Sequence, residues 1–488
     1  MAFPRHVCAG IRFTRGLAPI DAHPLAADVR LPHAGDTVRV LASILLAGTR
    51  CHSSMRGADK WKARRVVDTK TANPSDDVLR GLGDVEPALV ALYKDIHAHP
   101  ELSMQETRTA GIVADRLRAA GYEVTTGIGK TGVVGLLRNG DGPVVMLRAD
   151  MDALPVKEAT GLPYASTVTA TDPSGATVPV AHACGHDMHV TCLVGAAMLL
   201  AQSREAWRGT ALALFQPAEE TAAGAQAMID DGLFKRFPKP AVVLGQHVMV
   251  MPAGDLGWRA GVITSAADSL QIQLFGRGAH GSMPQASIDP VVMAAATVLR
   301  LQTIVAREVA PTEAAVLTVG ALQAGTKENV IPDDATIKLN VRTFDEGVRK
   351  RVLAAIRRIV KAEAQASGAP RPPTFTPLDR YALVTNDTAA TRRVVDAFRQ
   401  RFTDQRVVET EPTSASEDFG LYGTEGHFPS VFWFVGCTDR DQYAKAKAAG
   451  ALSAIPTNHN PGFAPVIHPT LETGVAALVV AALAWLAA

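Results

Sequence analysis

Thr210-Ala211-Leu212-Ala213-Leu214-Phe215-Gln216-Pro217-Ala218-Glu219-Glu220 is the stretch on which the fold turns. Its first six residues carry no charge and form a short run of the kind that makes a strand covered on both faces. Two carboxylates then follow. Adjacent acids usually cap a helix or face water, but at the end of a buried strand they need a compensating partner. One can ligate a cation while its neighbour accepts a proton, a division of labour that requires two acids in different environments.

The same pattern recurs on both sides of this stretch. Residues 122–126, 132–138 and 144–149 are β-rich runs punctuated by glycine, and 241–248 and 430–435 are further buried strands. Helical spacing is found over 85–97, 107–120 and 188–203. Strands alternating with helices predict an α/β fold, a mostly parallel sheet with helices on both faces. Ligand sites in such sheets lie beyond the C-terminal strand ends. Near Ala266 the pattern changes to strict alternation, in 269–275 (Leu270, Ile272, Leu274), 316–322 and 336–341, separated by helices over 290–305 and 347–366. That predicts an inserted α+β lid with an antiparallel sheet. A helix resumes over 387–402, with Asn386 as its expected N-cap. The expected division is therefore an extension over 1–80, a split catalytic domain over 81–261 and 381–488, and a lid over 262–380.

A chain of 488 residues exceeds one ordinary core. Its net charge of +1 gives no reason to expect nucleic acid. Lys and Arg number 12 against 5 acids in residues 1–72, out of totals of 49 and 48, so the remainder, with 37 against 43, is mildly acidic. The first segment has no sustained period and reads as a disordered extension or as the product of a start assigned too early, with Met55 an internal alternative. Five scattered cysteines suit a reducing cytoplasm. Residues 40–48 have a secretory-like apolar character but lie far from the start. No apolar run nears the roughly 20 residues of a membrane span, and 475–488 reads as a terminal core helix.

The chemistry gathers in four places. In His182-Ala183-Cys184-Gly185-His186-Asp187, a thiol and an imidazole sit two positions apart on a glycine turn that opens a helix. An isolated pair of this kind reads as packing. Here the helix N-terminus should lower the Cys184 pKa, and Asp187 could orient an imidazole. Glu219 and Glu220 follow, then His247 in Gly245-Gln246-His247, then His459 in His459-Asn460-Pro461. Cys, His, Glu, His and His suffice for more than one divalent cation, the signature of a hydrolytic metalloenzyme. Asp150 and Asp152 project from one face of a strand end and could support a cationic site. His97 and His99 read as cap or packing residues. In the expected lid, His280 lies in a glycine-rich turn without a P-loop ending, placed to polarise a carbonyl on closure. Asn329 and Arg342 read either as a turn residue and a solvated charge, or as contacts for an amide and a carboxylate.

In motif order, from about Val85 onward, the chain resembles the aminoacylase/carboxypeptidase family of dinuclear metallohydrolases, in the branch of hippurate and indole-acetyl-amino-acid hydrolases. The resemblance implies two divalent ions per subunit (Mn, Zn, Co or Ni) and cleavage of small N-acyl amino acids, or of dipeptides in the alternative. It implies Cys184, His186, Glu220, His247 and His459 as ligands, Glu219 as general base, and His280 as oxyanion stabiliser. Asn329 and Arg342 would bind substrate, Asp152 would support the site, and the lid would form a homodimer. Two features depart from the branch pattern. His459-Asn460-Pro461 replaces His-Ser-Pro, and Val466-Ile467-His468 replaces acidic residues, with His468 a competing imidazole. Residues 172–180 also form a longer segment that could alter the pocket rim.

Overall fold

The computed structural model describes residues 74–487. The expectations for the N-terminal extension, Cys8, Cys51, Met55 and residues 40–48 lie outside them. The strand Gly209–Gln216 is buried along its whole length. It lies third in an eight-stranded sheet, whose order is Glu123–Ile128, Gly132–Asn139, Gly209–Gln216, Val144–Asp150, Val242–Pro252, Ser430–Thr438, Leu256–Trp258 and Val407–Glu409. The four central strands run parallel, and antiparallel pairs join the first three strands and link Ser430–Thr438 to Leu256–Trp258. Parallel order thus holds at the centre, where both faces are covered.

Strand alternation divides two cores. Ala211, Ala213 and Phe215 join one core with Val145, Leu147 and Leu244. Leu212, Leu214, Met146 and Val243 join the other. The first core holds the helices Leu82–Ala98, Thr107–Ala119, His186–Gln202, Thr388–Arg401 and Ile467–Leu486; the second holds the short helices Gly224–Asp230 and Gly420–Gly426. His186–Gln202 is apolar all round because helices flank it and the sheet lies beneath it.

Two expectations are corrected. Asp387, not Asn386, caps Thr388–Arg401 by accepting the Ala390 N–H, whereas Asn386 ends a strand and bridges Arg259 and Phe432 with its amide. The terminal helix begins before 475, its regular turns starting after the non-helical His468 and Pro469 within Ile467–Leu486. It and Pro290–Arg307 are, by length and composition alone, long and apolar enough to cross a membrane. Ile467–Leu486 instead buries Leu471, Val475, Leu478 and Val479 in the core, each contributing about 1.5–3 kcal/mol.

A second sheet has the antiparallel order Ala315–Ala324, Asp334–Thr343, Ala266–Phe275, Thr374–Tyr381. Leu270, Ile272, Leu274, Ile337, Leu339 and Val341 pack on the helices Pro290–Arg307 and Glu346–Ala366. Asp289 and Asp345 cap these helices through the N–H groups of Val291 and Val348. By alternation, Arg342 belongs to the opposite face of its strand.

Candidate metal centre

The expected donors come from the turn that opens the helix His186–Gln202, the end of the strand Gly209–Gln216, the strand Val242–Pro252 and one loop. Gly185 adopts a left-handed conformation (φ 84°), and a Cβ there would lie 2.4 Å from Val248 Cγ2. Glycine therefore lets the turn press Cys184 and His186 against the middle of the strand Val242–Pro252. Cys184 Sγ lies 3.4 Å from His247 Nε2. His186 Nε2 lies 3.8 Å from Glu219 Oε2 and 3.9 Å from Glu220 Oε1, and His459 Nε2 lies 3.2 Å from Glu220 Oε2. Cys184, His186 and His247 form one group of donors spaced for a cation, and Cys184, Glu220 and His459 form another. Cys184 belongs to both.

The hydrogen bonds leave the donor atoms facing inward. His186 Nδ1 donates to the Asp152 carbonyl (2.9 Å) and His247 Nδ1 to the Val248 carbonyl (2.8 Å), which turns each Nε2 inward. Burial works against a charged His186 but the Asp150 carboxylate raises its pKa, so a cation there would take the place of the Nε2 proton. His186 Nε2 and Glu220 Oε1 are buried with no hydrogen-bond partner. A divalent cation would satisfy both, and this donor set fits one chemically. Burial, then the nearby His189, holds the His247 pKa well down, keeping it a neutral ligand. Cys184 is a correction. Burial, followed by Glu220, raises its thiol pKa, outweighing the helix end expected to lower it.

The turn carrying the two glutamates is held by carboxylates. Asp152 accepts the N–H groups of Glu219 (3.1 Å) and Glu220 (3.0 Å), and the Ser103 hydroxyl (2.6 Å). Glu106 accepts the N–H of Ala218 (2.9 Å), a residue at φ 48°. Glu219 is only 5% exposed. Burial raises its carboxyl pKa well above the ordinary value, and the carboxylates of Glu417, Glu220 and Asp418 add to this. A carboxyl shifted in this direction holds a proton more readily and can return it.

Cys184, Glu219, Glu220, His247 and His459 line a cleft of about 550 Å³ together with Arg342, Tyr381, Ser416, Glu417 and Phe434. Arg342 donates to the Ser414 carbonyl (2.7 Å) and the Ser416 hydroxyl (3.0 Å). His280 and Asn329 are not among the lining residues. His280 is exposed on the two-stranded ladder of Ala279–His280 with Val330–Ile331, and Asn329 lies in the turn just before Val330, where its carbonyl accepts the Gly281 N–H. His468 pairs with Glu472 (2.6 Å) and Glu86 rather than competing for the cleft. Residues 172–180 lie in a small hairpin that contributes nothing to the cleft lining. Asp187 turns to His97, which also meets Glu158, and does not orient a donor imidazole. His99 is exposed at the helix end.

Several residues were not singled out from sequence. His189 follows His186 by three positions on one helix face, donates to Asp150 (2.5 Å) and accepts the Val248 N–H (2.8 Å). Arg148 is fully buried among Asp150, Glu417 and Asp418. The acid pair Glu417-Asp418 was the available signal for that cluster, and nothing in the pattern singled out Glu106.

The sequence profile of peptidase family M20/M25/M40 matches residues 146–457. Hippurate hydrolase of Campylobacter jejuni is 39% identical, over 70% of this chain and 86% of its own length. Thermostable carboxypeptidase 1 of Saccharolobus solfataricus is 36% identical, over 76% of this chain and 96% of its own. Among solved structures, the Bacillus subtilis YXEP protein, a dinuclear metal binding peptidase from the M20 family, superposes with a TM-score of 0.64 at 31% identity, covering 82% of this chain and 98% of that one. With its cleft at the carboxyl ends of a parallel sheet and this extent of similarity, the chain belongs to peptidase family M20/M25/M40, hydrolases that act on amide bonds.

Proposed function

We propose that the protein hydrolyses the amide bond of N-acyl amino acids of the hippurate, N-acetyl or indole-acetyl type, releasing a carboxylic acid and a free amino acid. The observation that carries this reading is the buried Glu219 beside the unpartnered donors His186 Nε2 and Glu220 Oε1. Cys184, His186, Glu220, His247 and His459 would hold two divalent cations, Mn, Zn, Co or Ni, with the shared Cys184 between the two donor groups. Bound there, the cations would supply Lewis-acid activation of water and of the acyl oxygen. Glu219 takes the water proton and delivers it to the leaving amine. Arg342 anchors the amino acid carboxylate from the cleft wall, and Asn329 holds the amide. His280 stabilises the oxyanion once residues 262–380 close as a lid, or once a second subunit supplies it.

The exposed apolar residues Val292 and Leu299 on Pro290–Arg307 and Val316 and Leu322 on the edge strand Ala315–Ala324 support a homodimer through this region. The protein is taken to act in the cytoplasm on small molecules, without membrane or nucleic acid partners. A dipeptidase or carboxypeptidase activity is the second reading, favoured by the carboxypeptidase relative.

The test is release of free amino acid from N-acetyl, N-benzoyl and indole-acetyl amino acids and from dipeptides, using metal-stripped protein restored with Mn²⁺, Zn²⁺ or Co²⁺. Metal-dependent release from the N-acyl compounds is expected. Faster cleavage of dipeptides would favour the second reading, and no metal-dependent release from any of them would overturn both.

A further inference from the structure

We infer that Asn458 is a positioning residue for the Cys184 sulfur, donating an amide N–H to it while tying together three segments that carry candidate ligands. This rests on the ligand role proposed for Cys184. Asn458 Nδ2 lies 3.2 Å from the Cys184 carbonyl, 3.2 Å from the Val248 carbonyl and 3.8 Å from Cys184 Sγ. All three neighbours are acceptors, so the nitrogen and not the oxygen of the amide must face them. Val248 follows His247, and Asn458 precedes His459. The backbone N–H of His459 adds a bond of 2.7 Å to the Ala183 carbonyl. One side chain therefore fixes the Cys184 turn, the His247 strand and the His459 loop relative to one another.

The contact to sulfur also has an electronic consequence. His186 and His247 commit their Nδ1 protons to carbonyls, so neither can donate from Nε2 to the thiolate while holding a cation. Asn458 has two N–H groups for three acceptors, so the sulfur receives the longer arm of a bond shared with a carbonyl, and it keeps that contact in this state. A hydrogen bond to a thiolate is charge-assisted, and it draws electron density from the ligand while fixing its direction.

The experiment loads the metal-stripped full chain with Co²⁺ and reads the thiolate-to-cobalt charge-transfer band and the cobalt affinity by chelator competition. Asn458→Leu should move the band to longer wavelength and weaken cobalt binding by roughly 10–100-fold. Asn458→Asp keeps the size and removes the N–H donors, so it should move the band the same way if the leucine variant fails to fold. A wild-type band that stays in place in a folded variant, with unchanged affinity, overturns the role of Asn458 alone. A wild type with no such band removes Cys184 from the ligand set, and this inference with it. A structural role without the N–H···S bond would lower the melting temperature and leave the band energy unmoved.

Discussion

The floor of the cleft and the His280 ladder are both rich in polar groups, yet they follow opposite rules. On the floor, Asp152, His186 and Glu219 are almost wholly buried, and most of their polar atoms have named partners. On the ladder, His280 is exposed and its ring accepts from the neighbouring Ser282 (3.1 Å). Burial forces polar atoms to find partners, so the floor is organised within the chain and its few unpartnered atoms stand out. Water satisfies the ladder equally well in many arrangements, so its geometry carries a role only when something closes over it.

The sharpest test of this contrast is on the floor. Glu219→Gln should lower amide hydrolysis by roughly 10²–10⁴-fold while cobalt binding persists, as loss of a general base requires. A variant that loses its metal instead would make Glu219 a ligand and not the base. The ladder comes next. His280→Ala should lower the turnover rate by about 10²–10³-fold with cobalt affinity unchanged, the signature of a group engaged only during the reaction. An unaltered rate would leave the ladder outside the chemistry.

The smallest effect concerns the support behind the floor. Burial works against a charged His97, but its hydrogen bonds to Asp187 and Glu158 override this and raise its pKa from 6.5 to about 10. A folded pKa above the unfolded one stabilises the fold fully below about 6.5, and that gain is lost as pH climbs through about 10, at about 1.4 kcal/mol per unit. In metal-free protein, His97→Gln should therefore lower the melting temperature more at pH 6 than at pH 9.5. An equal deficit at both values would mean that His97 is neutral in the fold.

Much of the floor was legible in advance because its signals are local. The uncharged run ending in Glu219-Glu220 reports a strand buried on both faces, and Cys184-Gly185-His186 reports a turn that only glycine lets approach Val248 so closely. The period of Leu270, Ile272 and Leu274 likewise reports a sheet with one covered face. The misplaced Asn386 cap shows the limit. Asn and Asp share the cap preference, and only the bridge from Asn386 to Phe432 left Asp387 as the cap.

The sequence by itself determined the kinds of donor, their order and the two sheet architectures, because periodicity and turn chemistry act over a few residues. Tertiary structure alone decided that Glu106, some 110 positions upstream, holds the Ala218 turn, that Arg148 meets Glu417 and Asp418 across about 270 positions, and that Asp187 serves His97. It also decided the thiol's raised pKa, since desolvation depends on everything packed around Cys184 and no local pattern reports it.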